Sequence, residues 1–286
     1  MTTYLVTGAS GQLGRLTVQA LLEQGVAAAD VVATARDTDN IADLAALGVL
    51  TRPADYTDPA SLKDAFAGVD RALLVSSSAV GERVAQHANV IDAARDAGVE
   101  LLGYTSLVRA DTAQMILAGE HRATEELLTA SGLPVVLLRN SWYFENYTAQ
   151  AATALEHGVV LGAAGEGRVS AATRADFAAA AAAALVSDDQ AGRVYELGGD
   201  VAFTLEEYAA ALAAESGRPV AYQDLPAAEL SAALVGAGLP EQYADILADC
   251  DLALARGELL ADSGDLSRLI GRPTTTLAEA IRTALA

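Results

Sequence analysis

The chain has 286 residues, 52% of them hydrophobic and only 7 of them proline, a composition that excludes a disordered or low-complexity polypeptide. Its 38 acidic and 18 basic side chains give a formal net charge of −20 with no basic cluster, so nucleic acid and anionic membrane surfaces are excluded as expected partners. The single cysteine, Cys250, allows neither an internal disulfide nor a cysteine-rich metal centre and points to a reducing cytoplasm. The start, Met1-Thr2-Thr3, lacks the charged region of a leader. The longest apolar stretch, Phe177 to Val186, is mostly Ala and falls short of the roughly 18 residues of a membrane span.

In chain order, the first strand candidate is Tyr4–Thr7, followed by the helical stretch Arg15–Gln24, which Gly25 closes. Val31–Ala35 and Ala72–Val75 are the next strands. Helix Glu82–Ala97 ends at Gly98 and carries Val84, His87, Ala88, Ile91 and Ala94 on one face, which makes His87 a hydrogen-bonded core residue. Leu101–Tyr104 and Val135–Leu138 complete the series. Each strand is nearly continuously apolar, as strands buried on both faces are. This rhythm predicts an α/β fold, a Rossmann-type doubly wound parallel sheet. After Tyr147 the rhythm weakens. Val194–Leu197 reads as one more strand, and capping boxes at Thr204–Glu207 and Thr276–Glu279 mark a smaller, helix-rich C-terminal domain.

The strongest local signal is Thr7-Gly8-Ala9-Ser10-Gly11-Gln12-Leu13-Gly14, placed between the first strand and the first helix. Gly8 permits a tight turn, Gly11 lets backbone amides approach a diphosphate, and Gly14 is expected to pack helix closely on sheet. The amides at the helix start then meet the phosphates. The second strand ends in Arg36, where a cofactor with a free ribose 2′-hydroxyl would meet an acid. A guanidinium there suits a 2′-phosphate and favours NADPH over NADH. The alternative is a surface pair of Arg36 with Asp37.

Dehydrogenases with this glycine spacing that act on alcohols or ketones use a Tyr-x-x-x-Lys pair. The only lysine here is Lys63, and Pro59 stands four residues before it. Beyond the glycine loop, the segments Ala54-Asp55-Tyr56, Ser76-Ser77-Ser78, Gln86–Val90, Tyr104–Leu107, Leu138–Tyr143, Ala172–Asp176 and Leu269–Gly271 carry a specific likeness. The chain resembles the NmrA-like, atypical short-chain dehydrogenases, and among them the type 2 NAD(P)H:quinone oxidoreductases, with triphenylmethane reductases as near relatives. The serine triplet with Val80-Gly81-Glu82-Arg83 is more similar to the quinone reductases.

The resemblance implies a pocket at the C-terminal strand ends. Ser76, Ser77 and Ser78 would flank the adenosine and ribose, and Asp55 and Tyr56 the adenine. Asn140, Ser141, Trp142, Tyr143, Phe144 and Glu145 would line the nicotinamide and acceptor side, with Arg174 near cofactor or substrate. His121 stands where the family has a lysine, and Leu117 at the matching tyrosine position. The implied division is an NADP-binding part, 1–148 with a returning segment at about 171–199, and a substrate-side part, 149–170 and 200–286.

Loss of the Tyr–Lys pair suits a quinone acceptor. Hydride transfer to a quinone leaves a phenolate whose conjugate acid titrates at about 10, so water can supply the proton; an aliphatic alkoxide would need a dedicated acid. Asn140, Tyr104 or Ser106 are the candidates to polarise the acceptor oxygen, and Trp142 or Tyr143 to stack on its ring. The expected partner is thus a small-molecule quinone or similar planar acceptor. Two alternatives stay open: a redox-sensing regulator that binds NADP without turnover, and a triphenylmethane or azo dye reductase. The three histidines lack metal spacing, so no metal is expected.

Overall fold

A computed structural model describes residues 1–286. The first half alternates β1 (Tyr4–Val6), α1 (Gln12–Glu23), β2 (Val31–Ala35), α2 (Ala42–Ala46), β3 (Leu50–Pro53), α3 (Pro59–Ala65), β4 (Arg71–Leu74), α4 (Arg83–Ala97), β5 (Leu101–Leu107), α5 (Ile116–Ala130) and β6 (Val135–Asn140). The chain then leaves the sheet through α6 (Phe144–Thr148), α7 (Ala151–His157) and β7 (Val159–Gly162). It returns as α8 (Arg174–Val186) and β8 (Val194–Leu197). The last third comprises α9 (Leu205–Ser216), β9 (Ala221–Asp224), α10 (Ala227–Gly236), α11 (Glu241–Ala255), α12 (Asp265–Ile270) and α13 (Leu277–Leu285). No helix is long and apolar enough to cross a membrane.

Seven parallel strands lie in the order β3-β2-β1-β4-β5-β6-β8. The winding reverses between β1 and β4, so the loops that follow these strands diverge and leave a crevice at their C-terminal ends. That crevice is where a ligand is expected in such a sheet. Strands β2 and β5 are buried along their whole length, as the largely apolar starts Val31–Ala33 and Leu101–Leu102 lead one to expect for inner strands. Three features escape the sequence reading. Strand β3 is a half-exposed edge with Leu50 at 45% exposure and Pro53 at its end, so it carries no apolar run. Strand β5 continues through Thr105 and Ser106 to Leu107, where it pairs with the end of β6. A further pair, β7 with β9, forms a separate two-stranded parallel sheet in the C-terminal part.

Apolar layers cover both sheet faces. On one, α1 and α8 pack Val18, Leu21, Phe177 and Leu185 against Val6, Leu73 and Val136. The alanine run of α8 presents small side chains that let α1 approach closely. On the other, Phe66, Val90, Ile91 and Leu128 meet Leu5, Val32, Leu102 and Tyr104. A third cluster, with Phe144, Phe203, Leu212 and Ile246, joins the C-terminal helices to the mouth of the crevice.

Phe177 is 1% exposed and its ring meets Tyr143 edge-on at 5.4 Å, which links the core to the crevice rim. Phe177→Ala is expected to cost about 3–5 kcal/mol, read as a lower urea midpoint at unchanged slope.

Candidate active site

The glycine turn is built so that one helix end stays open. Gly8 takes a positive φ of +61°, and Ala9 donates its amide to Thr34 O at 2.8 Å. Gly11 donates to Gly8 O at 2.9 Å, and no side chain caps α1. The first-turn amides of α1 therefore have no carbonyl or side chain to receive them. A Cβ on Gly14 would lie 2.5 Å from Gly8 O, and one on Gly11 3.3 Å from the same oxygen. Gly14 thus packs the helix onto the loop's own carbonyl, a correction to the expected contact with the sheet. Ala9 is also corrected: it is buried and its amide is spent, so it offers nothing to a ligand. Tyr56 braces the turn, with its hydroxyl against Thr7 Oγ1 and Val75 O. Burial raises its pKa.

From this turn a cavity of about 850 Å³ runs across the strand ends. At its outer end Arg36 is exposed and makes no ion pair. Asp37 instead caps the turn at Thr38–Ile41 by accepting the Asp39 amide at 3.0 Å, which removes the surface-pair alternative. Asp55 lines the same end. It accepts the Thr57 amide at 2.8 Å and hydroxyl at 2.7 Å, which hold its carboxyl below the ordinary range. An open helix start beside an unpaired arginine fits a dinucleotide with a 2′-phosphate.

The serine triplet is held from behind. Ser76 donates its amide to Thr105 Oγ1, and the Ser77 hydroxyl donates to Gln86 at 2.6 Å. The Ser77 amide donates to His87 Nε2 at 2.9 Å, which makes that nitrogen the acceptor. Nδ1–H then donates to Thr124 Oγ1 at 3.0 Å, and Thr124 donates on to Glu120 O. Burial, aided by the nearby Arg83 charge, lowers the His87 pKa to about 3, so the ring is neutral. It is a core strut, as its helix face implied. Ser78 keeps its side chain exposed to the cavity.

At the inner end, β5 and α5 form two rungs. Ser106 Oγ donates to Glu125 at 2.6 Å, and Glu125 takes Arg139 through both oxygens at 3.0 and 2.7 Å. One rung below, the Tyr104 hydroxyl meets His121 Nδ1 at 2.8 Å. Tyr104 is fully buried, outside the cavity, and burial raises its pKa, so it is corrected as a group that touches an acceptor. Ser106 lines the cavity, but its proton is committed to Glu125; it is corrected as a donor to the acceptor oxygen. His121 lines the cavity and its Nε2 has no protein partner. Burial, and then the Arg83 charge, hold it well below the ordinary imidazole range. In the tautomer in which the Tyr104 hydroxyl donates to Nδ1, the imidazole hydrogen sits on Nε2. Asn140 also faces the cavity, with Oδ1 unpartnered and Nδ2 3.5 Å from the Tyr143 hydroxyl.

The aromatic run divides. Trp142 and Tyr143 line the cavity, whereas Phe144 is 2% exposed and stacks on Phe203 at 5.6 Å. The Arg174 guanidinium lies 4.4 Å over the Tyr143 ring and covers that face, which leaves Trp142 as the platform. Glu145 does not line the cavity: it accepts the Arg174 amide and caps α8. Ser141 lines it but spends its hydroxyl on Leu259 O. Phe144 and Glu145 are therefore corrected to packing and capping residues. Sequence reasoning missed Arg83, which is buried, lines the cavity and donates to Ser77 O at 2.7 Å. Its spacing four residues before His87 was the available signal.

Residues 8–188 match the model of a family described as NAD(P)H-binding. The chain is 51% identical over 276 residues to quinone oxidoreductase 2 of Escherichia coli (strain K12), covering 96% of each chain. It superposes on the NADPH-dependent quinone oxidoreductase from Escherichia coli complexed with NADPH with a TM-score of 0.96, at 50% identity over 99% of this chain and 100% of that one. For the Citrobacter sp. triphenylmethane reductase complexed with NADP(H), the TM-score is 0.93 at 37% identity, over 99% and 100%.

A histidine kept neutral in the fold binds a proton only when the chain unfolds, so its contribution is complete above pH 6.5 and is lost as the pH falls toward its folded value near 3. Asp251, which burial raises to about 6, works in the opposite direction, so the effect is isolated by difference. Unfolding free energies from urea titration should fall further from pH 7 to pH 5 for the native chain than for His87→Gln, by about 2 kcal/mol.

Proposed function

The chain belongs to the NAD(P)H-binding family, and from that membership we propose that it is a cytoplasmic NADPH-dependent reductase of quinones or similar planar electrophiles. The observation that carries this reading is one cavity that joins an uncapped helix start and an unpaired Arg36 to an inner end whose hydrogen-bond donors are all weak acids. Gly8, Ser10, Gly11, Gln12, Leu13 and Gly14 hold the diphosphate, and Arg36 takes the 2′-phosphate. Asp55 and Tyr56 border the adenine, and Ser76, Ser77 and Ser78 the ribose. Residues 1–148 with 171–199 form the cofactor part, and 149–170 with 200–286 the acceptor side.

The bound NADPH supplies the hydride. Trp142 stacks a flat ring at the inner end, and the loose amide hydrogens of Asn140 with Nε2–H of His121 meet the acceptor oxygen. Both donors strengthen as negative charge develops there, which is worth more in a water-poor cleft than in solution. Neither has to give up its proton, because a phenolate of conjugate-acid pKa about 10 takes one from water. An aliphatic ketone would find no adequate acid.

The test is NADPH consumption against simple benzo- and naphthoquinones, with NADH in parallel. Quinone-dependent oxidation that prefers NADPH is expected; tight NADPH binding without turnover of any acceptor overturns the reading. Arg36→Ala should raise KM for NADPH about 10- to 100-fold and leave NADH nearly unchanged. Equal losses for both cofactors would refute the phosphate contact. His121→Phe should lower kcat about tenfold at unchanged KM for NADPH, the cost of one hydrogen bond in the transition state. An unchanged kcat would remove His121 from the acceptor site.

A further inference from the structure

A second cavity, of about 310 Å³, adjoins the inner end of the first, and Trp142 and Asn146 line both. Its walls come from α7, β7, α9, α10 and α11 in the C-terminal part, and 14 of its 19 lining residues are hydrophobic, among them Ala154, Val160, Leu205, Leu230 and Leu234. The reductase reading uses none of this space. Resting on that reading, we propose that the chamber takes an apolar side chain carried on the acceptor ring, a hydrocarbon of about one prenyl unit. The ring then stays beside His121 while its substituent lies past Trp142.

Three observations support this occupant. Continuity comes first: the shared wall is Trp142, the aromatic platform proposed for the ring. Second, two of the chamber's polar groups are already bonded within the protein. The Tyr208 hydroxyl donates to Tyr147 O at 3.0 Å, and Asp251 accepts the Ala163 amide at 2.8 Å. Burial raises the Cys250 thiol to about 12, so it stays protonated and behaves as an apolar lining residue. Third, the far rim carries Gln150, His157 and Ala237, all exposed, so a chain longer than the chamber can run out to solvent. Each buried methylene should improve affinity about fourfold until the rim is reached.

The test compares 2,3-dimethoxy-5-methylbenzoquinone bearing no side chain, one prenyl unit and two, at saturating NADPH. KM should fall at least tenfold with the first unit and level off with the second, with kcat unchanged within about twofold. Ala233→Phe, at an exposed lining position on α10, should abolish that advantage and spare the unsubstituted quinone. Because Trp142 is the only tryptophan, its emission reports binding without turnover. 4-Hexylresorcinol, which cannot be reduced, should perturb it at least tenfold more tightly than resorcinol, and Ala233→Phe should erase the difference. Equal KM across the quinone series, with rapid turnover of the unsubstituted ring, overturns the chamber and leaves the reductase standing. No turnover, with 4-hexylresorcinol still preferred, overturns the reductase and supports the chamber. No turnover and no preference overturns both.

Discussion

Everything at the cofactor end depends on how closely the start of α1 sits on the carbonyl of Gly8. No side chain fits at residue 14, because its Cβ would lie 2.5 Å from that backbone oxygen, which has no room to move. The close contact holds the helix axis against the turn, and the turn is braced in its own right by Thr7, which is bonded to Leu73 and Val75 at the end of β4, and by Tyr56 from the segment before α3. An anion-binding helix end is only as useful as it is fixed, since its amides must point where charge arrives without first reorganising. The topology supplies the rest. The reversal between β1 and β4 opens the sheet where these amides point, and the returning α8 packs α1 down from behind.

The inner end follows a different rule. Its two rungs, Tyr104–His121 and Ser106–Glu125, are set by the two-residue period of β5 against the four-residue period of α5. On the same face of one strand, Ser106 lies at the open end while Tyr104 is buried one rung deeper. Glu125 would be a costly buried charge without Arg139, and the bidentate pair explains why the Ser106 hydroxyl is drawn inward. The neutral His121 is left as the group with a free nitrogen at the surface of the cleft.

These periods also mark what was legible in the sequence. The glycine turn, the inner strands and the core role of His87 are local matters of spacing and apolar runs, and each stands in the structure where the spacing put it. The pocket residues at strand ends came from the family resemblance rather than from spacing, and Asp55, Tyr56, Ser76, Ser77, Ser78, Asn140, Trp142 and Tyr143 do line one cavity. Which hydroxyl has a free proton was not legible. Tyr104, Ser106 and Ser141 look equivalent as polar residues near strand ends, and only the register of α5 and the reach of Leu259 decide that all three are committed elsewhere. Strand β3 was hidden because an edge needs no apolar run, and Glu145 because a capping carboxylate has no signature when its helix begins 29 residues later.

A chain of net charge −20 that binds an anionic cofactor must localise attraction against a repulsive background. The cavity does this with Arg36, Arg83 and Arg174 against Asp55 and Glu82, so its lining is positive while the whole chain is strongly negative. Arg83 is buried and donates to Ser77 O, and its charge adds to the effect of burial in holding the His87 and His121 imidazoles neutral. The long-range repulsion acts through solvent and is screened over about 8–10 Å at ordinary ionic strength, whereas contacts inside the cleft are screened far less. Selectivity for an anion can therefore sit on an acidic protein without a basic surface, provided that the few cations are placed where the ligand's charge ends up. One exposed guanidinium at the end of β2 and an open helix start meet that condition here.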